Sequence, residues 1–162
     1  MDYQFIDLTE GDTAPYQAFL PTGLRDYDDA FRLSVRDEAG ASFPTGGTAD
    51  SFTMASVGTA TSQWLGVVSF AREKLRHEGL LFRMYVPADS AGKGIGRALI
   101  QAVIERARRL PNPEQINLTV VASNERAGRL YASFGFVAFS REERAIKYNG
   151  QYFDELTMVL RR

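Results

Sequence analysis

The chain has 162 residues, 44% of them hydrophobic and 24% charged, which suits one soluble domain with a sizeable core. Its net charge of −1 gives no electrostatic ground for nucleic-acid binding, and no apolar run reaches the length of a membrane span. Cysteine is absent and His77 is the single histidine, which excludes disulfides, thiolate or multi-histidine metal sites, and a cysteinyl acyl-enzyme.

Met1-Asp2-Tyr3-Gln4 lacks the basic-then-apolar pattern of an export signal, so cytoplasmic residence is the expectation. Tyr3–Leu8 is apolar enough for a first strand. Asp12 or Thr13 can cap a short helix that runs through Leu20 and breaks at Pro21-Thr22-Gly23. Ala30, Phe31, Leu33 and Val35 predict a second helix over 27–38, and the Gly-, Ser- and Thr-rich stretch 40–51 reads as a loop. Strands over 52–57 and 64–71 make a hairpin around Gly58-Thr59-Ala60-Thr61. A charged stretch, 72–78, leads into 80–86, a buried strand that ends at Pro87 because proline cannot donate to a ladder.

Next comes Ala91-Gly92-Lys93-Gly94-Ile95-Gly96-Arg97. From Ile95 the apolar positions Leu99, Val103 and Ala107, with Ile100 and Ile104 alongside, lie on one helix face that Pro111 and Pro113 close off. Glycines let a backbone approach a ligand closely, and a helix start offers unpaired N–H groups. With Lys93 and Arg97 adjacent, this is an anion site suited to phosphate. It is neither of the common nucleotide loops. Gly94 stands where a Walker loop needs Ser or Thr, and Arg97 stands where a dinucleotide fingerprint needs its third glycine.

A strand over 116–121 is followed by Asn124 as an N-cap with Glu125 in the first turn. Ala127, Leu130, Tyr131 and Phe134 form the apolar side of that helix, and Gly135 ends it. Asn149-Gly150, between Ala145-Ile146-Lys147 and 152–160, signals a closing hairpin. Strands alternating with helices and then an antiparallel hairpin predict an α/β fold with a mixed sheet.

Three of these stretches together resemble one family. Ala91-Gly92-Lys93-Gly94-Ile95-Gly96, after a strand ending in Val86, resembles the acyl-CoA loop of the GCN5-related N-acetyltransferases (GNAT). That loop is usually Arg/Gln-x-x-Gly-x-Gly/Ala; Ala91 departs from it, which removes a side-chain donor and leaves the backbone cradle. Asn124-x-x-Ala127-x-x-Leu130-Tyr131-x-x-x-Gly135-Phe136 resembles the family's second motif, and 149–160 its closing hairpin. The resemblance covers residues 50–160. It implies a single-domain GNAT-like fold over 1–162, with helices flanking a mixed central sheet, a splayed strand pair and a C-terminal β-hairpin. It also implies acetyl-CoA as cosubstrate, no metal, and direct transfer to an amine of a small molecule or peptide. Relatives often pair through sheet edges or hairpins, so a homodimer is compatible with it.

Carried over residue by residue, the resemblance places the pantetheine arm along Met84, Tyr85 and Val86. The pyrophosphate falls on the N–H groups of Gly92, Lys93, Gly94, Ile95, Gly96 and Arg97, next to Ala91. A backbone N–H near Tyr85 or Val86 would polarise the thioester carbonyl. Tyr131, a phenol with an ordinary pKa of about 10, would protonate the departing thiolate. Asn124 would touch the pantetheine arm or the parted strands. The residues themselves leave plainer roles open: core for Tyr131, an N-cap for Asn124, a solvated helix start for Lys93 and Arg97. For the general base, relatives often carry a Glu where this chain has Leu80. Glu78 shares its strand parity and is the first candidate, with His77 or a water relay behind it. Ala91 and Leu80 at family-polar positions also fit a non-catalytic acyl-CoA-binding module or sensor. Acidic Asp26, Asp28, Asp29, Glu38 and Asp50 suit either a cationic amine or a solvated face.

Overall fold

The computed structural model describes residues 2–26, 47–72, 77–111, 113–148 and 150–161. The strand-forming runs become β1 (Tyr3–Leu8), β2 (Ser51–Gly58), β3 (Trp64–Arg72), β4 (Glu78–Tyr85), β5 (Gln115–Val121), β6 (Val137–Tyr148) and β7 (Gln151–Arg161). They make a single sheet in the order β1-β2-β3-β4-β5-β7-β6. All neighbours are antiparallel except β4 and β5. A parallel pair needs a long crossover, and α2 (Ile95–Arg108) supplies it. With α1 (Thr13–Asp26) and α3 (Glu125–Ser133), three α-helices lie among the described residues. The predicted mixed α/β fold and its closing hairpin are both present.

Strand alternation gives each face of the sheet its own core. On one face Phe52, Phe70, Leu81, Leu118 and Met158 pack against Ile95, Leu99, Ile100 and Val103 of α2 and Tyr131 of α3. On the other, Ala55, Val57, Val67 and Tyr85 meet Tyr16 and Leu20 of α1. The α2 face is the one its sequence period predicts, and Arg106 fixes its far end. That guanidinium bonds both Asp7 oxygens at 2.7 and 3.0 Å and covers the Phe52 ring at 3.7 Å.

Two expectations need correction. The first helix does not stop at Leu20; α1 continues to Asp26, through Pro21 and Gly23. A proline deletes one backbone bond, and the buried Tyr16 and Leu20 anchor the turn before it well enough to carry the helix on. The last hairpin is longer than Ala145-Ile146-Lys147 suggests, because β6 begins at Val137. Ser140-Arg141-Glu142-Glu143-Arg144 is too polar to read as strand from its sequence. It lies at the sheet edge, where charged residues are tolerated and discourage pairing with other chains. The helix expected over 27–38 lies outside the described residues.

Candidate active site

The site starts from a failure of two strands to stay together. β4 and β5 pair at Glu78↔Gln115, Gly79↔Ile116 and Leu80↔Asn117, and then part. The cause sits in β4. Arg83 has φ 49°, in the left-handed region, and the register with β3 slips there: Val67 faces Tyr85 while Ser69 faces Phe82. β4 therefore carries one residue more than β3 across this span, a β-bulge, and the strand turns away. The extra residue also flips side-chain parity, so Leu81 and Met84 face one core while Tyr85 faces the other. β5 keeps its full register with β7, from Gln115↔Arg161 to Val121↔Glu155. Between the strands lies a V-shaped cleft of about 600 Å³.

At the open end of the V sits the glycine loop. After Tyr85 the chain makes a 3-10 turn at Ala88–Ser90, where Ala91 N–H donates to Ala88 C=O at 3.1 Å. Gly92 and Gly94 then adopt φ 76° and 80°, and a Cβ built on either would meet nothing within 4 Å. Both faces of the loop are therefore open for close approach. The first bond of α2 runs from Ala98 N–H to Gly94 C=O at 3.0 Å, so the preceding N–H groups are not used by the helix. Gly96 packs in the first turn of α2: its Cβ position lies at ordinary contact distance, 3.6 Å from Leu130 Cδ2 and 3.7 Å from Met84 Cε.

The third wall is α3. Asn124 caps it, accepting Ala127 N–H on Oδ1 at 3.2 Å, and also lines the cleft. Tyr131, two turns on, is 7% exposed, packs edge-on to Phe136 at 6.0 Å and lines the cleft too. The two readings of each residue are thus compatible: Asn124 is a cap at the cleft, and Tyr131 is a core residue at the cleft.

A family model for the acetyltransferase (GNAT) family matches residues 15–136, more than half of the chain. The chain belongs to the GNAT acetyltransferase family. Among curated proteins it is similar to the spermidine N(1)-acetyltransferase of Vibrio cholerae serotype O1, 27% identical over 101 residues. That match takes in 62% of this chain and spans 58% of the relative's own length. Among solved structures it resembles a GNAT-family acetyltransferase from Streptococcus pneumoniae, with a TM-score of 0.80 at 22% identity, covering 99% of this chain and 100% of that one. Arabidopsis thaliana NAA60 in complex with acetyl-CoA gives a TM-score of 0.73 at 20% identity, covering 99% of this chain and 98% of that one. At these identities the structural likeness speaks for the fold.

The family's cosubstrate is acetyl-CoA, and the cleft can be tested for fit. The GNAT cosubstrate needs an anion cradle, a free strand edge and an apolar channel, and the loop, parted β4 and lining Leu81, Leu118, Val120 and Leu130 provide them. Of the residues carried over from the sequence, Met84, Tyr85, Val86, Ala91, Gly92, Gly94, Ile95, Gly96, Arg97, Asn124 and Tyr131 all line the cleft. Ala91 does so without a polar side chain and with its N–H already committed. Lys93 is exposed and outside the lining, and the Arg97 guanidinium stands 5.3 Å over the Phe134 ring. Glu78 is also outside the lining, in the paired root of the V. There its Oε2 accepts from Gln115 Nε2 at 3.1 Å and Asn117 Nδ2 at 3.4 Å. His77 is exposed at the bend before β4.

Some lining residues escaped the sequence. Arg83, Thr119, Arg126 and Arg129 all face the cleft. The two α3 arginines had a usable signal, since at i and i+3 they share a helix face with the N-cap's approach to the ligand. Arg83 had none, because no residue type announces a non-glycine bulge. Among the described residues no acidic or histidine cluster is placed to hold a metal, and no helix is long and apolar enough to cross a membrane.

Proposed function

We propose that this chain transfers acetyl from acetyl-CoA directly to a primary amine, with both reactants meeting in the V between β4 and β5. The observation that carries the proposal is the parting of those strands after Leu80↔Asn117, beside a loop whose N–H groups the helix leaves unused. The N–H groups from Gly92 to Arg97 would hold the pyrophosphate, with Lys93 adding charge at the rim. Arg126 and Arg129, which line the α3 wall, would steady further phosphate charge, Arg129 from beside Glu125. The β4 edge from Met84 to Val86, facing the cleft rather than β5, would align the arm, and one of its N–H groups would polarise the carbonyl. Bound acetyl-CoA supplies the activated acyl group as a thioester. The Tyr131 hydroxyl would hand its proton to the departing sulfur, and Asn124 would fix the arm where it passes α3.

The acceptor amine must lose a proton. On the sheet face turned to α1, alternation puts Glu78, Asn117 and Thr119 in line, with Thr157 opposite Thr119 and Glu155 opposite Val121. Glu78 would take the proton through water along this polar row, since it stands outside the cleft itself. The row also carries negative charge toward the acceptor side. With the similarity to a spermidine acetyltransferase, this favours a cationic amine of the polyamine class as acceptor, over a neutral one. The residence of the protein and its pairing with a second copy are expectations of the same reading.

Calorimetric titration with acetyl-CoA and ATP, beside mass detection of acetylated products from polyamines, aminoglycosides and lysine peptides, tests the proposal. Binding of acetyl-CoA over ATP with one acetylated amine class is expected. Binding with no product from any amine would overturn catalysis and leave the sensor reading. Preference for ATP would overturn the site.

A further inference from the structure

Past the last paired couple, Leu80↔Asn117, the register can be followed up both arms of the V. β5 advances one residue per step while β4 spends one extra on its bulge, so Tyr85 comes level with Val121. That is the height at which the proposed mechanism polarises the thioester carbonyl. Opposite Val121, one strand out, stands Glu155 of β7, on the sheet face turned to α1. Opposite Glu155, one strand further, stands Glu142 of β6. Residues paired across antiparallel strands share a face, so two carboxylates stand side by side here. Like charges directly opposite destabilise a sheet, and these side chains start only about 5 Å apart. The basic side chains of β6 are engaged elsewhere. Arg141 pairs with Asp154 at 2.6 Å on the other face of the sheet, and Arg144 and Lys147 lie over the Tyr152 ring at 3.9 and 5.3 Å. On the face of the two glutamates, Thr157 and Ser140 follow below them, and half-buried Phe153 and Ile146 stand above.

We infer that Glu155, with Glu142 behind it, reads a second positive charge on the acceptor, so that diamines and longer polyamines are acetylated in preference to amines with a single charge. The inference rests on the function proposed above, which assigns no residue to the part of the acceptor beyond its reacting amine. An amine attacking at the height of Tyr85 has Val121 and then Glu155 as its neighbours outward along the sheet. A second ammonium, one short alkyl chain away, would meet the Glu155 carboxylate, and a third would meet Glu142. The bound cation also removes the repulsion between the two carboxylates, supplying the charge that the strand pairing lacks. Phe153 and Ile146 give the methylenes between the charges an apolar neighbour. Loss of a charge-assisted contact of this kind reads as about tenfold or more in affinity.

The test measures kcat and KM for putrescine and butylamine, which share a carbon chain and differ by one ammonium, at saturating acetyl-CoA. The variants are Glu155→Gln and Glu142→Gln. Glu105→Gln serves as control, since Glu105 is exposed on α2, across the sheet, where it accepts from Gln101. Wild type should favour putrescine over butylamine by about tenfold or more in kcat/KM. Glu155→Gln should remove most of that preference through a higher KM for putrescine, with a much smaller change for butylamine and none in the KM for acetyl-CoA. Glu142→Gln should move the preference the same way by less, and keeps the test open if Glu155→Gln does not fold. Glu105→Gln should leave it where it is. Equal use of the two amines by wild type, an unmoved preference in the folded variants, an equal loss with butylamine, or an equal shift in Glu105→Gln would each overturn the inference while leaving acetyl transfer intact. Turnover of lysine peptides but of neither amine would do the same. No turnover of any amine would instead overturn the proposed function, and the inference with it.

Discussion

The proposed mechanism gives Tyr131 two duties in one side chain. Its ring packs against Phe136 in the core, and its hydroxyl is the only protic group that α3 presents from a buried position at the cleft. Tyr131→Phe separates the two, because phenylalanine keeps the ring and removes the proton. We expect kcat to fall about a hundredfold while the acetyl-CoA dissociation constant barely moves, in steady-state kinetics paired with calorimetry. Equal loss of binding and turnover would assign Tyr131 to packing alone. Glycine at 94 is needed for a different reason: at φ 80° any Cβ is strained, and it would project into the open space beside the loop, where the proposed phosphate would sit.

Two elements hold the V in shape, one at its root and one at its outer flank. At the root, Gly79 lies under Phe70: a Cβ there would stand 2.3 Å from Phe70 Cζ. Phe70 is fully buried and stacked on Phe52 at 5.3 Å, so it cannot swing away. Gly79→Ala should therefore cost about 1–3 kcal/mol of stability, read as a lower urea midpoint; an unchanged midpoint would contradict the packing described. At the flank, β6 bends where its register with β7 slips between Glu142 and Ile146, and Asp154 pins the bend. Its carboxylate accepts Arg144 N–H at 2.9 Å and Arg141 Nε at 2.8 Å. The Arg144 N–H first, then Arg141, hold the Asp154 pKa below its ordinary value. A depressed folded pKa means stability that is full above the unfolded carboxylate value of about 3.9 and is lost as pH falls through the lower folded value. Asp154→Asn should thus be less stable than wild type at neutral pH, with the gap closing in urea titrations below about pH 4. A gap that persists at low pH would remove the ionised clip.

At the scale of the molecule, what was legible in the sequence was what is local. The loop from Gly92 to Arg97, the Asn124 cap and the Tyr131 helix each lie within a few residues; their pattern gave the elements and an anion site, and the family resemblance they carry gave the ligand class. The polar row proposed for the acceptor side is different, because Glu78, Thr119 and Glu155 share one sheet face only through the register of three strands. No pattern along the chain brings them together. The bulge at Arg83 was illegible for another reason, since the positive φ falls on a residue type that rarely adopts it. The polar run of β6 hid as well, because an edge strand needs no apolar face. The site is thus half motif and half topology.

Direct transfer through one cleft requires both substrates to be present at once, since the chain has no cysteine to carry the acetyl group between them. Initial rates of thiol release, with acetyl-CoA and spermidine varied against each other, test this most directly. The account predicts double-reciprocal lines that intersect, as a ternary complex requires. Parallel lines, the mark of a covalent acetyl-enzyme, or no thiol release with any amine, would contradict it.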